Sequence, residues 1–366
     1  MSKSTAVSIF AVVVVAVLAL SEPRFSPDPD RHMAAVSGST SSKESCTLYP
    51  KPREFKNVPY YTGPLIDAHI HMPASSGIVS SVAKRFGEDL PVWGKTLTPN
   101  YLSCLIKSEG ITKVFGFYLV PRFAESSSVR AAKKVEKVHK GEIVPFLMPP
   151  PMPFLTIGAD SVERILKGNP DLFRGYGEIA LDRDTSGKIE PDDPELLKMY
   201  ALAETYNLIV MMHPRRDQNA AVERVISKFP HVRFLLHGLT GGPNDDSWVF
   251  GLMAKYENIF YSVDNISSIY GWMQEHRWKK PTKVEWLAYV RDNFDLLVSN
   301  AVSEWKPRIE RLPGRFVWGT DRWYEWTFDE EVGALMVELN RAFIGQLDPS
   351  IQELLAYKNA ENLIPK

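Results

Sequence analysis

From Pro64 to the C-terminus, short apolar runs alternate eight times with helical patterns, and this alternation constrains the fold more than any other feature of the chain. The runs are Pro64 to Met72, Ile111 to Val120, Gly141 to Pro150, Phe173 to Leu181, Asn207 to Pro214, Val232 to Leu239, Asn258 to Asp264 and Phe316 to Asp321. Strands that are separated by helices pair in parallel, since a parallel neighbour is reached only by a crossover. Near-continuous apolar stretches such as Leu208-Ile-Val-Met-Met suit strands covered on both faces. The intervening helices carry their own signals. Asp193 stands as an N-cap before Pro194, and Ala221, Val222, Val225, Ile226 and Phe229 form one apolar stripe. Eight such units predict an α/β chain folded as a (β/α)8 TIM barrel over residues 61–366. A doubly wound open sheet would carry a glycine-rich phosphate turn after its first strand, and the segment after Asp67-Ala-His-Ile-His has none. A long insertion, Asn265 to Pro313, follows the seventh strand with a helical stretch from Val284 to Val298, and is expected to form a lid or pocket wall.

Ahead of the barrel, Lys3 precedes an apolar run from Ala6 to Leu20, and Ala19-Leu20-Ser21 offers a small-residue cleavage site before Glu22. This layout predicts a signal peptide over residues 1–21 and an exported protein, periplasmic or secreted. The run is short of the roughly 20 residues of a membrane span, so membrane contact is expected only if the segment stays uncleaved as an anchor. Residues 22–60 are rich in Pro, Ser and charge and lack periodicity, which predicts a disordered leader and flexible linker. Cys46 falls in that leader and Cys104 in a helix marked by Leu102, Leu105 and Ile106; they can bridge in an oxidising compartment or stay as two thiols. Two cysteines cannot make a four-cysteine zinc site. Forty-three Lys and Arg against 44 Asp and Glu give a net charge of −1, so no field recruits nucleic acid and a small-molecule substrate is expected.

Four of the eight histidines end predicted strands. His69 and His71 close the first strand, and the period of two along a strand points both to one side. Glu178 ends the fourth strand, His213 the fifth, His237 the sixth and Asp321 the eighth. One His at a strand end is ordinarily a hydrogen-bonded structural group. Six nitrogen and oxygen donors at the carboxyl ends of five strands, where barrel active sites lie, instead predict a metal centre. His32, His139, His231 and His276 fall in the leader, helices or loops and stay outside it. Arg122, Arg215, Arg216 and Arg322-Trp323-Tyr324 follow strand ends and could clamp an anionic or aromatic substrate, while Tyr261 and Asp264 on the seventh strand could enter the pocket but read better as structural.

The set Asp67-Ala-His-Ile-His-Met, Gly177-Glu-Ile-Ala-Leu-Asp, Met212-His-Pro-Arg, Leu236-His-Gly-Leu-Thr-Gly-Gly, Gly319-Thr-Asp-Arg and Lys358-Asn-Ala-Glu-Asn-Leu resembles the amidohydrolase superfamily, and within it the amidohydrolase-2 and TatD-like groups. The resemblance implies that His69, His71 and Asp321 hold a buried divalent ion, that His213 and His237 hold a second, and that Glu178 bridges them where many members use a carboxylated lysine. Zinc is the first expectation, with manganese, iron or nickel compatible, as one or two ions. The resemblance also implies that Asp321 shuttles the proton, so Asp321 and His237 are the catalytic candidates. The expected activity is hydrolysis of an ester, lactone, amide or phosphoester by metal-activated hydroxide. The alternatives are a one-ion non-oxidative decarboxylase, with His69, His71, His213 and Asp321 as ligands and His237 near the substrate, and a TatD-like nuclease.

Overall fold

The computed structural model describes residues 48–365 apart from 86, 88, 184–188, 239–246, 265 and 267. The expected signal peptide, residues 22–47 of the leader and Cys46 lie outside the described residues. Eight parallel strands form one sheet in sequential order: β1 (Leu65–His71), β2 (Ile111–Leu119), β3 (Ile143–Met148), β4 (Gly175–Ala180), β5 (Ile209–His213), β6 (Arg233–Leu236), β7 (Ile259–Val263) and β8 (Phe316–Trp318). Each lies inside the run expected for it. The sheet curls into a (β/α)8 barrel, closed just beyond the short β8 by the parallel bridge between Ile70 and Arg322. There His71 N–H donates to the Arg322 carbonyl at 2.9 Å, and Asp321 N–H to the His69 carbonyl at 2.9 Å. The seam between first and last strand is therefore made by residues that flank the predicted ligands.

The helices form the outer layer: α1 (Gly77–Lys84), α2 (Pro99–Ser108), α3 (Glu125–Val138), α4 (Ala159–Gly168), α5 (Pro194–Thr205), α6 (Asn219–Lys228), α7 (Ser247–Lys255), α8 (Ile269–Glu275), α9 (Lys283–Arg311), α10 (Glu330–Ile344), and the closing pair α11 (Pro349–Glu353) and α12 (Asn359–Leu363). Asp193 caps α5 by accepting the Glu195 N–H at 3.0 Å, with Pro194 in the first turn as expected. The stripe of α6 and Phe229 are buried, and so are Leu102, Leu105 and Ile106 of α2, the helix that carries Cys104. Cys104 is disulfide-bonded.

Two expectations need correction. The helical stretch expected over 284–298 extends to Arg311 as two helical pieces that meet at a kink at Asn293 (φ −120°), and Ala301, Trp305 and Ile309 continue the buried side chains of Trp286, Val290, Phe294 and Val298. It starts at a capping box in which Glu285 N–H donates to Thr282 Oγ1 at 3.3 Å and Thr282 N–H to Glu285 Oε2 at 2.9 Å. A stretch with those buried side chains packs along α10 as part of the outer layer, not as a lid. The flexible linker expected to residue 60 is held down in its described part, residues 48–60. Glu54 N–H and Phe55 N–H donate to the Glu338 carboxylate at 2.9 and 2.8 Å, and Arg291 donates to both oxygens of Glu54 at 2.8 and 2.7 Å. The Phe55 ring stacks on Phe294 at 3.8 Å. These partners come from α9 and α10, far along the chain, so the local polar composition gave no sign of them. No helix among the described residues is long and apolar enough to cross a membrane.

Candidate metal centre

Period-two alternation puts Asp67, His69 and His71 on the same side of β1, and all three are buried. Asp67 lies deepest. Its carboxylate accepts from His69 N–H at 3.1 Å, from Thr320 N–H at 2.9 Å and from the Thr320 hydroxyl at 2.6 Å. Burial pushes the Asp67 carboxyl up to about 6, against the pull of Arg322 and these hydrogen bonds. The bonds tie β1 to the turn after β8 and hold the next residue, Asp321, at φ 50°, a left-handed conformation that Asp tolerates better than most side chains.

All six predicted residues come together at the carboxyl end of the barrel, five of them buried and His213 half-buried. His69 Nε2 lies 3.4 Å from Asp321 Oδ1 and 3.7 Å from Glu178 Oε2. His71 Nε2 lies 3.2 Å from the same Asp321 oxygen and 3.5 Å from the same Glu178 oxygen. The other Glu178 oxygen, Oε1, lies 2.8 Å from His237 Nε2 and 3.2 Å from His213 Nδ1. Glu178 thus stands between two donor sets, one oxygen turned to each. The rings crowd together: His69 and His237 meet edge to face at 4.6 Å, and His213 and His237 lie 4.4 Å apart.

His213 enters the cluster through Nδ1 because its ring fills the place a side chain at residue 238 would take. Gly238 has φ 74°, and a Cβ there would come within 2.1 Å of His213 Nε2. The Met212-His-Pro and Leu236-His-Gly motifs are therefore a packed pair. Residues 239–242 of the second motif lie outside the described residues.

Three acidic groups in or near the centre were not among the predicted ligands. Asp264, directly after β7, is buried, and its Oδ2 lies 3.0 Å from His69 Nδ1 and 3.3 Å from His237 Nδ1. Its place at a strand end was the available signal, and the structural role first given to it was only half of the matter. Asp182, four residues after Glu178, has its Oδ1 3.4 Å from His213 Nδ1. Glu109 takes both ends of Arg322, at 3.0 and 2.7 Å, and the pair is fully buried. The substrate clamp expected of Arg322 is therefore wrong: its guanidinium is fully buried and paired with Glu109. Arg215 is likewise engaged, with Glu190 at 2.8 Å, Asp217 at 3.3 Å and the Ile189 carbonyl at 3.2 Å. Arg122 is exposed and donates to the Thr156 carbonyl, and Arg216 is exposed. Trp323 and Tyr324 are buried and pack against Tyr270 and Trp326; Tyr261 is buried beside Trp305 and Phe316. Outside the centre, as expected, His139 pairs with Glu142 and His276 stacks on Trp272.

The electrostatics are those of a cation site. Burial opposes charge on His69, but the Asp321 carboxylate, the hydrogen bond to Asp264 and the nearby Glu178 carboxylate outweigh it and push the imidazole up to about 10. His237 is raised in the same way by Glu178 and Asp264. Burial acts on Glu178, Asp264 and Asp321 too, yet the facing imidazoles hold all three below the usual carboxylate range. Three ionised carboxylates and four imidazoles packed at the barrel mouth could hold a divalent metal. The fit is supported by His69 Nε2, which is buried, makes no hydrogen bond and faces the Asp321 and Glu178 oxygens. Three groups, His69-His71-Asp321, His69-Glu178-His237 and Glu178-Asp182-His213, each bring their donor atoms within 4.8 Å of one another.

Residues 114–366 match the family model described as amidohydrolase. The match begins within β2, so His69 and His71 join the centre through the fold and not through the matched span. Among solved structures, the chain is similar to an amidohydrolase from Burkholderia multivorans with bound HEPES, at 13% identity and a TM-score of 0.56 over 83% of this chain and 100% of that one. A second crystal form of that amidohydrolase, with bound zinc, gives 14% identity and a TM-score of 0.55 over the same shares, 83% and 100%. At these identities the likeness speaks for the fold alone. No curated protein matches the sequence.

Proposed function

Because the chain belongs to the amidohydrolase family and is a metal-dependent hydrolase by that membership, we propose that it cleaves an ester, lactone, amide or phosphoester bond at a two-ion centre. His69, His71 and Asp321 would hold one ion, His213 and His237 the second, with Glu178 between them. The observation that carries this reading is the division of Glu178, whose Oε2 faces His69 and His71 while its Oε1 faces His213 and His237. The zinc in the Burkholderia structure makes zinc the first metal to test. A divalent ion held by such donors supplies a coordinated water of lowered pKa, about 7 for zinc, and polarises a substrate oxygen.

The protein's own groups do the rest. Asp321, kept ionised by His69 and His71, accepts the proton that the attacking water loses and returns it to the leaving group. Its left-handed backbone and the bond from its N–H to the His69 carbonyl fix the carboxylate over that path. His237, with Nδ1 on Asp264 and Nε2 turned to Glu178, would serve as a ligand of the second ion. Burial of the cluster keeps bulk water from screening these charges.

The test is metal content of the exported chain, expressed from about Glu22 onward without chelators, beside a His69→Ala/His71→Ala variant. Two ions per chain, lost in the variant, support the hydrolase and direct screening to esters, lactones and phosphoesters. One ion per chain favours the one-ion decarboxylase and directs screening to aromatic carboxylic acids. Export on residues 1–21 belongs to the same proposal, and the disulfide at Cys104 supports it, since such bonds persist in oxidising compartments. N-terminal sequencing of the exported chain, beginning at Glu22, is its check.

A further inference from the structure

We propose that Asp264 is a positioning residue shared by both halves of the centre, one carboxylate oxygen that orients His69 and His237 together and so couples uptake of the two ions. The inference rests on the two-ion reading above.

His69 comes from β1 and His237 from the end of β6, and Asp264 reaches both from the end of β7. A single oxygen, Oδ2, lies 3.0 Å from Nδ1 of His69 and 3.3 Å from Nδ1 of His237. An ionised carboxylate only accepts, so each ring must donate from Nδ1 and turn Nε2 the other way. On the other side of the rings stand the oxygens of the two donor sets: Asp321 Oδ1, 3.4 Å from His69 Nε2, and Glu178 Oε1, 2.8 Å from His237 Nε2. The edge-to-face contact of the rings, at 86°, lets one oxygen serve both without a clash. A rotation of either ring moves the acceptor geometry of the other. Filling one site therefore sets the ring of the second.

His213 offers the contrast that makes this testable. Its Nδ1, the nitrogen it turns to Glu178, also faces Asp182 at 3.4 Å, so Asp182 stands beside the second donor set as a further candidate donor and touches neither β1 histidine. Loss of Asp264 should be felt by both ions and loss of Asp182 by one. Outer partners of metal-bound histidines are typically worth about 10- to 100-fold in affinity.

The experiment loads the exported chain with Zn2+ against a graded chelator and follows both steps of uptake, with the Co2+ form read by its visible absorption. In Asp264→Asn, and in Asp264→Ser should the first variant fold poorly, both steps weaken about tenfold or more and the titration loses its cooperative slope. In Asp182→Asn, only the second step weakens. The melting temperature of the metal-free variants serves as the readout of fold, and a purely structural Asp264 would lower it without separating from Asp182 in the titration. Weakening confined to one ion, or two steps that stay coupled in Asp264→Asn, overturns the proposal while leaving the two-ion hydrolase intact. A wild-type chain that takes one ion overturns both.

Discussion

Glu178 Oε1 sits 2.8 Å from His237 Nε2, the shortest contact between a carboxylate and an imidazole in the cluster, while its Oε2 stays 3.5 Å or more from the β1 histidines. Glu178 therefore leans towards the second donor set. The first set has a carboxylate of its own in Asp321, whereas among the described residues the donor nitrogens of the second face, besides Glu178, Asp182, which is partly exposed. The two sets depend on Glu178 unequally.

Glu178→Gln should accordingly strip the second ion and spare most of the first. The amide keeps the shape, but it carries no charge and cannot accept through both ends. Affinity for the second ion is expected to fall by at least about 100-fold, beyond what the loss of an outer partner costs. Elemental analysis after gel filtration decides: one ion per chain is expected, and equal loss of both would refute the bridging position.

Asp321→Asn separates holding from proton transfer. His69 and His71 remain to bind the first ion, and Asn keeps one oxygen facing them. An amide does not take up a proton at neutral pH, so turnover should drop by about 100- to 10,000-fold. Turnover on whichever ester or lactone the screen finds is compared with metal content in the same sample. Unchanged turnover at full loading removes Asp321 from the chemistry.

How much of this could be read beforehand depends on the range of the interaction. All eight strands were legible because each is a local apolar run bounded by turn residues, and the convergence of the six candidate residues because they end those runs. Asp264 also ends one, but a carboxylate beside Tyr261 reads as a structural group until two histidines from other strands are seen on its oxygen. Arg322 misled for the converse reason: adjacency to Asp321 suggested the pocket, while its partner Glu109 lies more than two hundred positions away and draws the side chain inward. The docking of residues 48–60 on α9 and α10 was hidden in the same way.

Gly238→Ala probes the packing between two of the motifs. A methyl group there would come within 2.1 Å of His213 Nε2, and the φ of 74° is itself strained for alanine. The ring must move away from Glu178 and Asp182. Expected are a stability loss of about 1–3 kcal/mol from the backbone alone and a vacant second site. Urea unfolding and metal content measure the two separately, and a second ion held as in the wild type would show that His213 is not positioned by this contact.

The Glu109–Arg322 pair should behave as a buried ion pair does. Removing one partner leaves an uncompensated charge in the barrel wall, at about 3–5 kcal/mol. Glu109→Gln and Arg322→Met are each expected in that range, and the double variant is expected to be more stable than their sum implies. Denaturant unfolding of the four chains gives the coupling energy directly. Additive losses would mean that the two residues contribute through packing alone.

Metal uptake should release protons and tighten as pH rises. In the metal-free protein His69 titrates at about 10 and His237 well above its ordinary value, because Glu178, Asp264 and Asp321 surround them. At pH 7 both rings carry a proton, and a metal ion must displace it to reach the nitrogen. Affinity therefore climbs with pH up to about 10, where His69 empties on its own. The sign for stability is opposite. Raised values stabilise the metal-free fold fully below the unfolded histidine value, about 6.5, and this contribution is lost as pH rises through about 10. Metal-loaded protein, whose rings are already deprotonated, lacks that alkaline loss. Calorimetric Zn2+ titration at pH 7 in two buffers of different ionisation enthalpy should report about two protons released per loaded chain. Melting curves of the metal-free and loaded forms from pH 6 to 10 should draw apart as pH rises; curves that stay parallel, with no buffer dependence of the heat, would show that the histidines are already neutral in the metal-free site.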